Sequence, residues 1–201
     1  MANPLLYDTL KAGYSNDTQL QTKTLSKSGY IRDDELSNNK NRQVYFNPTT
    51  NSVLYNSNGT QTLNDWKNNV LLGLGQIKST DRYKNDKKTL EKAKKKYEGS
   101  DVTLTGHSQA GGILPLIAGK KDKVVTYNGA KFGEKINKNE QHYRVASDPV
   151  SILSAKNKRT TTIQGPSVFP TYSSLLTGPS LLSYGLNSHN LENLKNKNIR
   201  V

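Results

Sequence analysis

A serine set between small residues, where a β-prone run meets an apolar run, constrains this chain most. The run V-T-L-T-G-H-S-Q-A-G-G, which contains Ser108, leads into the apolar segment Ile113–Ala118. It predicts a strand, a tight turn over Gly106–Gly112 and then a helix, with the serine held above the sheet edge at the helix N-terminus. Such a turn crowds its own backbone, so the residues two places before and after the serine must be small. Here they are Gly106 and Ala110.

The pattern G-x-S-x-A differs by one methyl group from the G-x-S-x-G turn that carries a serine nucleophile. An ordinary glycine-rich loop with an exposed serine is the alternative interpretation. A strand before the turn and a helix after it favour the nucleophile, because the turn requires both. We therefore predict that Ser108 is a catalytic nucleophile.

A serine nucleophile needs a base, and the base needs an acid to orient it. After a turn of this kind the chain order is serine, acid, histidine. Among the three histidines, His107 adjoins the serine and is predicted to be structural, and His142 precedes the best acid. Order and elimination therefore select His189 as the base, against the alternative of a solvated loop histidine.

The acid is expected just past the carboxyl end of a strand that follows the nucleophile. Asp148 has this position, because a β-prone run ends at Val145 and a short turn follows. Asp122 comes too soon after the helix of the serine and lies among lysines. Glu134 and Glu140 fall in a polar segment, where solvated side chains are predicted. Asp148 is therefore the predicted acid.

Acyl transfer passes through an oxyanion that needs hydrogen-bond donors. The backbone amide of Gln109, directly after the serine, is the first predicted donor. The second is expected from the loop after an earlier strand. Thr60 follows the β-prone run 53–55 and offers both an amide and a hydroxyl, while an ordinary turn threonine is the alternative.

Strand-like and helix-like runs alternate along most of the chain. Runs 44–46 and 53–55 predict a hairpin, and 80–98 predicts a helix capped by Ser79 or Thr80 and stopped at Gly99. Further strands are predicted at 102–105, 124–127, 142–145 and 160–163. This alternation predicts an α/β fold with a mostly parallel central sheet flanked by helices. The length of 201 residues predicts one compact domain.

Two segments stand apart from this alternation. Residues 1–40 are polar, and their apolar positions predict a short helix near the N-terminus. Residues 164–188 are rich in Gly, Pro, Ser and Leu and predict loops that cover the site. The apolar runs Val70–Leu74 and Phe169–Leu182 predict a lid or a wall for an acyl chain, with plain core packing as the alternative.

Composition excludes several classes of protein. The chain has no cysteine, which excludes disulfides and thiolate metal sites; no metal or cofactor is predicted. The first residues lack the basic and apolar segments of a secretory signal. No apolar run approaches the roughly 20 residues of a membrane span, so a soluble protein is predicted. The abundance of Lys and Asn indicates an AT-rich genome, such as that of a large DNA virus or a low-GC bacterium.

The net charge of +13 predicts an anionic partner. Nucleic acid is disfavoured because neither interleaved aromatic residues nor a known motif accompanies the charge, which leaves an anionic membrane or lipid surface. The densest lysine run lies within the predicted helix 80–98, and a solvated helix face is the simpler interpretation of it. No feature of the sequence indicates an oligomeric state.

Four motifs together resemble the class 3 lipases. Asn58-Gly59-Thr60 with Asp65-Trp66 is similar to the family's R-G-T…D-W segment, and residues 102–108 resemble its nucleophile strand. Residues 125–133, V-T-Y-N-G-A-K-F-G, are similar to its Y-T-F-G-A-P-x-V-G run. Residues 143–150 are similar to its acid loop, which contains D-P-V.

The resemblance implies an α/β-hydrolase fold, ester hydrolysis without a metal, and acylglycerols or phospholipids as substrates. It also implies that Thr60 is the early oxyanion residue. The sequence departs from the family at Asn58, where an arginine is usual, at Gln109-Ala110, where Leu-Gly is usual, and at Pro115 in the helix behind the serine.

These observations predict a serine hydrolase of lipid esters, with Ser108, Asp148 and His189 as a triad. One alternative is a short-chain esterase or acyltransferase that acts on soluble esters. Another is a non-catalytic binding protein that keeps the fold and uses its basic surface.

Overall fold

A computed structural model describes residues 3–38, 40–59, 77–130, 138–148, 151, 158–164 and 189–201 of the chain. The predicted hairpin is formed by β2 (Arg42–Asn47) and β3 (Ser52–Ser57). The two strands pair antiparallel with Val44 opposite Tyr55. The connecting turn is stabilised by the Asn47 side chain, which accepts the N–H groups of Thr49 and Thr50.

Within the described ranges, seven strands form one sheet in which spatial order follows chain order. The edge strand β1 (Ile31–Arg32) and β2 run antiparallel to their neighbours, while β3 to β7 are all parallel. The remaining parallel strands are β4 (Asp101–His107), β5 (Lys123–Tyr127), β6 (Glu140–Val145) and β7 (Thr160–Ile163). The predicted α/β fold with a mostly parallel sheet is therefore confirmed.

One face of the sheet is covered by the two helices that connect β3, β4 and β5. These are α3 (Asp81–Lys96), preceded by a 3₁₀ turn at Ile77–Ser79, and α4 (Gln109–Ile117). Right-handed crossovers between strands laid in sequential order bring both helices to the same face. Their apolar side chains pack on alternate strand residues in one buried cluster: Val44, Val53, Tyr55, Leu90, Ala93, Leu104, Leu114 and Val124.

The opposite face is covered by the two ends of the chain. Helices α1 (Leu6–Gly13) and α2 (Thr18–Ser26) and the C-terminal 3₁₀ helix Leu191–Leu194 pack there. The buried cluster on this side contains Leu6, Leu10, Leu25, Tyr45, Leu54, Val125, Tyr127, Val145 and Leu194. The strand residues alternate between the two clusters, as a sheet buried on both faces requires.

Helix α3 follows the prediction for residues 80–98. Thr80 caps it by accepting the N–H of Tyr83, and Gly99 ends the following turn at φ +82°. Leu90 and Ala93 are buried on one stripe while most of the lysines are exposed. The solvated-face interpretation of the lysine run is thus confirmed.

Some boundaries differ from the prediction. The turn expected over Gly106–Gly112 is only one residue long, because β4 extends to His107 and α4 begins at Gln109. The prediction that Glu140 is solvated in a polar segment is wrong. Glu140 begins β6, is 5% exposed and contacts the ring of His142. Pairing of its strand with β5 draws it into the sheet.

None of the helices in the described part of the chain has the length and apolar character needed to cross a bilayer.

Candidate active site

Ser108 is the single residue between β4 and α4. Its φ of 58° and ψ of −128° are unusual for a residue with a side chain. The backbone holds this conformation, since Ser108 N–H donates to Tyr127 O at 3.3 Å and Ser108 O accepts the N–H of Ala130 at 3.1 Å. The residue is 3% exposed. The turn is therefore fixed to the neighbouring strand β5.

The predicted need for a small residue two places before the serine is confirmed at Gly106. A Cβ added to Gly106 would lie 2.7 Å from Leu114 Cδ1 and 3.0 Å from the Gly111 nitrogen. A Cβ on Gly111 would lie 2.8 Å from Gly129 Cα. Strand β4, helix α4 and the loop after β5 therefore meet in backbone contact at this point.

The loop after β3 abuts the serine from the other side. A Cβ on Gly59 would lie 2.6 Å from Ser108 Cβ and 3.0 Å from its Oγ. The predicted oxyanion residue Thr60 is the next residue along, and it lies outside the described residues, as do Val70–Leu74 and Phe169–Leu182. Gln109 is the first residue of α4, where a backbone N–H has no acceptor within the helix.

Asp148 and His189 lie in direct contact, although 41 residues separate them. The distance from His189 Nδ1 to Asp148 Oδ1 is 2.8 Å. The carboxylate is fully buried, and its Oδ2 accepts the N–H of Ser151 at 2.9 Å. It follows β6 in a turn closed by Asp148 N–H donating to Val145 O. This arrangement fits an acid that orients a histidine through Nδ1.

The segment that carries His189 is bound to β4, the strand that precedes Ser108. His107 Nε2 lies 3.0 Å from His189 O, and the two imidazole rings are 4.6 Å apart between centroids. One residue further on, Tyr127 OH donates to Asn190 O at 3.1 Å. His189 is thereby in contact with the residue that directly precedes Ser108.

The other ring nitrogen of His107 reaches a residue that the sequence did not single out. Nδ1 lies 2.7 Å from the hydroxyl of Tyr14, which also accepts the N–H of Gly59 at 3.1 Å. Burial, followed by the neighbouring His189, holds the pKa of His107 well below its ordinary value. Burial likewise raises the pKa of the Tyr14 hydroxyl. The sequence indicated Tyr14 only as one of the apolar positions of the predicted N-terminal helix.

The candidates that sequence order set aside have other partners. Asp122 pairs with Lys94, before β5 and away from Ser108. His142 contacts the hydroxyl of Thr126 at 2.7 Å and the carboxylate of Glu140 at 3.2 Å. In the described ranges, no group of three or more His, Asp or Glu side chains is arranged to hold a metal ion.

A buried ion cluster lies beneath the loop that carries Gly59. Asp86 of α3 is fully buried and binds Arg42 at 3.1 Å and Arg82 at 2.8 Å. Arg82 also donates to the backbone oxygen of Asn58 and, at 2.7 Å, to Ser57 Oγ. The cluster fixes the end of β3, and its signal in the sequence is an acid on the apolar stripe of a helix.

The chain has an α/β fold like that of solved lipase structures, with the Ser108 turn at the end of β4 and the His189–Asp148 pair beyond β6. Sixteen chains of solved structures match this fold. The lipase Lip2 from Yarrowia lipolytica is 14% identical, with 97% of this chain and 91% of that chain covered and a TM-score of 0.57.

Two further structures give similar values. A mutant form of MDLA from Penicillium cyclopium is 13% identical, with 83% and 81% of the two chains covered and a TM-score of 0.52. A fungal lipase is also 13% identical, with 84% and 81% covered and a TM-score of 0.51. No protein-family model and no curated protein sequence matches the chain. The likeness is therefore one of fold.

Proposed function

We propose that this chain is a serine hydrolase of lipid esters with Ser108, Asp148 and His189 as its triad. The observation that carries the proposal is the 2.8 Å contact between His189 Nδ1 and the buried carboxylate of Asp148. A carboxylate on Nδ1 leaves the proton-accepting Nε2 for the serine hydroxyl. The contact of His189 with His107 brings that imidazole to the residue next to the nucleophile.

Acylation begins when His189 Nε2 takes the proton of Ser108 Oγ as the oxygen attacks the ester carbonyl. The oxyanion accepts hydrogen bonds from the N–H of Gln109 and from Thr60. The tetrahedral intermediate then collapses, its C–O bond breaks, and His189 gives its proton to the leaving alcohol. Asp148 stays ionised and stabilises the imidazolium that forms between these steps.

Deacylation repeats the sequence with water in the place of the serine. His189 takes a proton from water, the hydroxide oxygen attacks the acyl-enzyme carbonyl, and the Ser108–acyl bond breaks. The proton returns from His189 to Ser108 Oγ, and the carboxylic acid leaves. Each proton transfer in this scheme has a named donor and acceptor.

A lipid ester is the substrate class that the fold likeness favours, because the neighbours in fold are described as lipases. The net charge of +13 adds attraction to an anionic lipid surface. A series of p-nitrophenyl esters from acetate to palmitate separates this proposal from its alternative. Preference for long chains supports a lipase, and preference for acetate or butyrate supports a short-chain esterase.

The triad is tested by Ser108→Ala. We expect hydrolysis of p-nitrophenyl esters to fall by roughly 10⁴-fold or more, because no nucleophile remains. Labelling by a fluorophosphonate probe is expected to disappear with it. Ser100→Ala is the matched control, since the Ser100 hydroxyl donates to Asn51 Oδ1 at 2.8 Å, at the opposite end of β4 from Ser108. A parent chain that is neither labelled nor active supports the non-catalytic alternative.

A further inference from the structure

Tyr14 and His107 connect the two loops that flank Ser108. The series of contacts runs from Gly59 N–H to Tyr14 OH at 3.1 Å, from Tyr14 OH to His107 Nδ1 at 2.7 Å, and from His107 Nε2 to His189 O at 3.0 Å. Gly59 precedes the proposed oxyanion residue Thr60, and His189 is the proposed base. One chain of hydrogen bonds thus links both.

The direction of each bond in this series is fixed by chemistry. A backbone carbonyl only accepts, so His107 Nε2 must carry the proton that is donated to His189 O. A buried imidazole whose pKa is held low is neutral, so its Nδ1 is an acceptor and Tyr14 must donate to it. The Tyr14 oxygen is then left to accept the N–H of Gly59.

Neither residue belongs to the proposed triad; His107 is buried and Tyr14 is partly buried. Tyr14 directly follows α1 and is in edge-to-face contact with the His107 ring, and that ring also stacks on Tyr127 with centroids 5.6 Å apart. Tyr127 in turn donates to Asn190 O, so a second bond holds the same loop. The position of His189 therefore depends on these aromatic side chains beneath it.

We infer that Tyr14 and His107 are positioning residues, which hold the loop before Thr60 and the backbone of His189 in register with Ser108. This inference rests on the proposed function. It assigns the N-terminal helix α1 a part in catalysis, because that helix supplies the hydroxyl that starts the series. Neither side chain is proposed to touch the substrate, so we expect substitution of either residue to lower kcat and to leave KM unchanged.

The experiment compares Tyr14→Phe with the parent, with rates expressed per serine titrated by a fluorophosphonate. We expect kcat to fall by roughly 10- to 100-fold while KM stays within about twofold, because small displacements of a catalytic group are costly. Tyr30→Phe is the matched control. The Tyr30 hydroxyl contacts Ser52 Oγ at 3.0 Å at the far end of β3. Each of the two variants therefore loses one tyrosine hydroxyl.

Two substitutions of His107 separate positioning from packing. The amide nitrogen of glutamine reaches the place of imidazole Nε2, so His107→Gln keeps a donor for His189 O. Asparagine reaches only the place of Nδ1, so His107→Asn keeps a partner for Tyr14 and loses the bond to His189. We expect His107→Gln to retain a kcat at least tenfold above that of His107→Asn.

Several results overturn the inference in a parent that is active. These are a Tyr14→Phe variant with the parent's kcat per titrated serine, a Tyr30→Phe variant with an equal loss, and a His107→Asn variant as active as His107→Gln. Imidazole ¹⁵N shifts that place the His107 proton on Nδ1 overturn it without any assay of activity. An inactive, unlabelled parent instead contradicts the proposed function itself.

Discussion

At the scale of single residues, the space beside Ser108 is occupied by the backbone of Gly59. Its missing side chain is a requirement, since an added Cβ would lie 2.6 Å from Ser108 Cβ, closer than real Cβ contacts come. Both partners are backbone-fixed, Gly59 through its N–H to Tyr14 and Ser108 through its bonds to Tyr127 and Ala130. Neither is able to move away without breaking a hydrogen bond.

Gly59→Ala is therefore expected to lower kcat/KM by at least roughly 100-fold, because the methyl group displaces the serine or the loop before Thr60. Ester hydrolysis per mole of folded protein is the measurement. Gly99→Ala is the control: apart from its chain neighbours, no atom of the described residues lies within 4 Å of the added Cβ, but the φ of Gly99 is +82°. That variant should lose about 1 kcal/mol of stability and none of its activity. A fully active Gly59→Ala variant would contradict the close packing described.

The sequence predicted some of these residues and missed others for a physical reason. Ser108 is marked by its local strand–turn–helix setting, and Asp148 and His189, selected from chain order, are in contact in the structure. Tyr14 was invisible because its partner His107 is 93 residues away and no spacing rule joins them. Thr60 stays a prediction.

At the scale of elements, α3 is attached to the sheet by charge as well as by apolar packing. Asp86 faces the core on the same stripe as Leu90 and Ala93 and meets the guanidinium groups of Arg42 and Arg82. It also accepts from the hydroxyls of Tyr55 and Ser57. Removal of this carboxylate would leave two arginines about 15% exposed without their buried counter-charge.

Asp86→Ala is expected to lower the free energy of unfolding by about 3–5 kcal/mol, the usual cost of breaking one side of a buried ion pair. Urea denaturation of the variant and the parent measures it. Asp81→Ala is the control, because Asp81 is an exposed acid in the first turn of the same helix and contributes about 0.3–1 kcal/mol through the helix dipole. A loss of equal size in both variants would mean that the cluster adds nothing.

The elements themselves were predicted where their patterns are strong. The hairpin, α3 and strands β4 to β7 all carry continuous β-prone or periodic runs. Helix α2 was missed because Gln21 and Leu25 are its only buried residues, and β1 because it is two residues long. Glu140 was misplaced because a polar residue at the start of a parallel strand looks like a loop until its pairing is known.

At the scale of the whole molecule, the densest lysine run and the candidate site lie at opposite ends of the parallel strands. Helix α3 runs antiparallel to the strands: Arg82, near its start, contacts Asn58 at the carboxyl end of β3, and Lys94, near its end, pairs with Asp122 before β5. Ser108 lies at the carboxyl end of β4. The densest lysines, near the end of α3, are therefore about one helix length, or about 24 Å, from the edge that carries the serine.

This separation makes a prediction about anionic lipid vesicles that depends on ionic strength. The Debye length is about 8 Å at 0.15 M salt and about 30 Å at 0.01 M. At low salt alone, therefore, lysines about 24 Å from the site edge attract a lipid surface that faces the site. The double variant Lys92→Glu/Lys95→Glu, which reverses two exposed charges, should turn over ester in phosphatidylglycerol vesicles more slowly than the parent at about 0.01 M salt.

At about 0.15 M salt we expect the two proteins to differ by less than about twofold on the same vesicles. Hydrolysis of a water-soluble ester serves as the control and should be equal for both at either ionic strength, since these lysines do not approach the triad. A loss on vesicles that is as large at high salt as at low salt would show that the end of α3 itself contacts the lipid. The protein would then bind the membrane through the end of α3, and not through the edge of the sheet that carries Ser108.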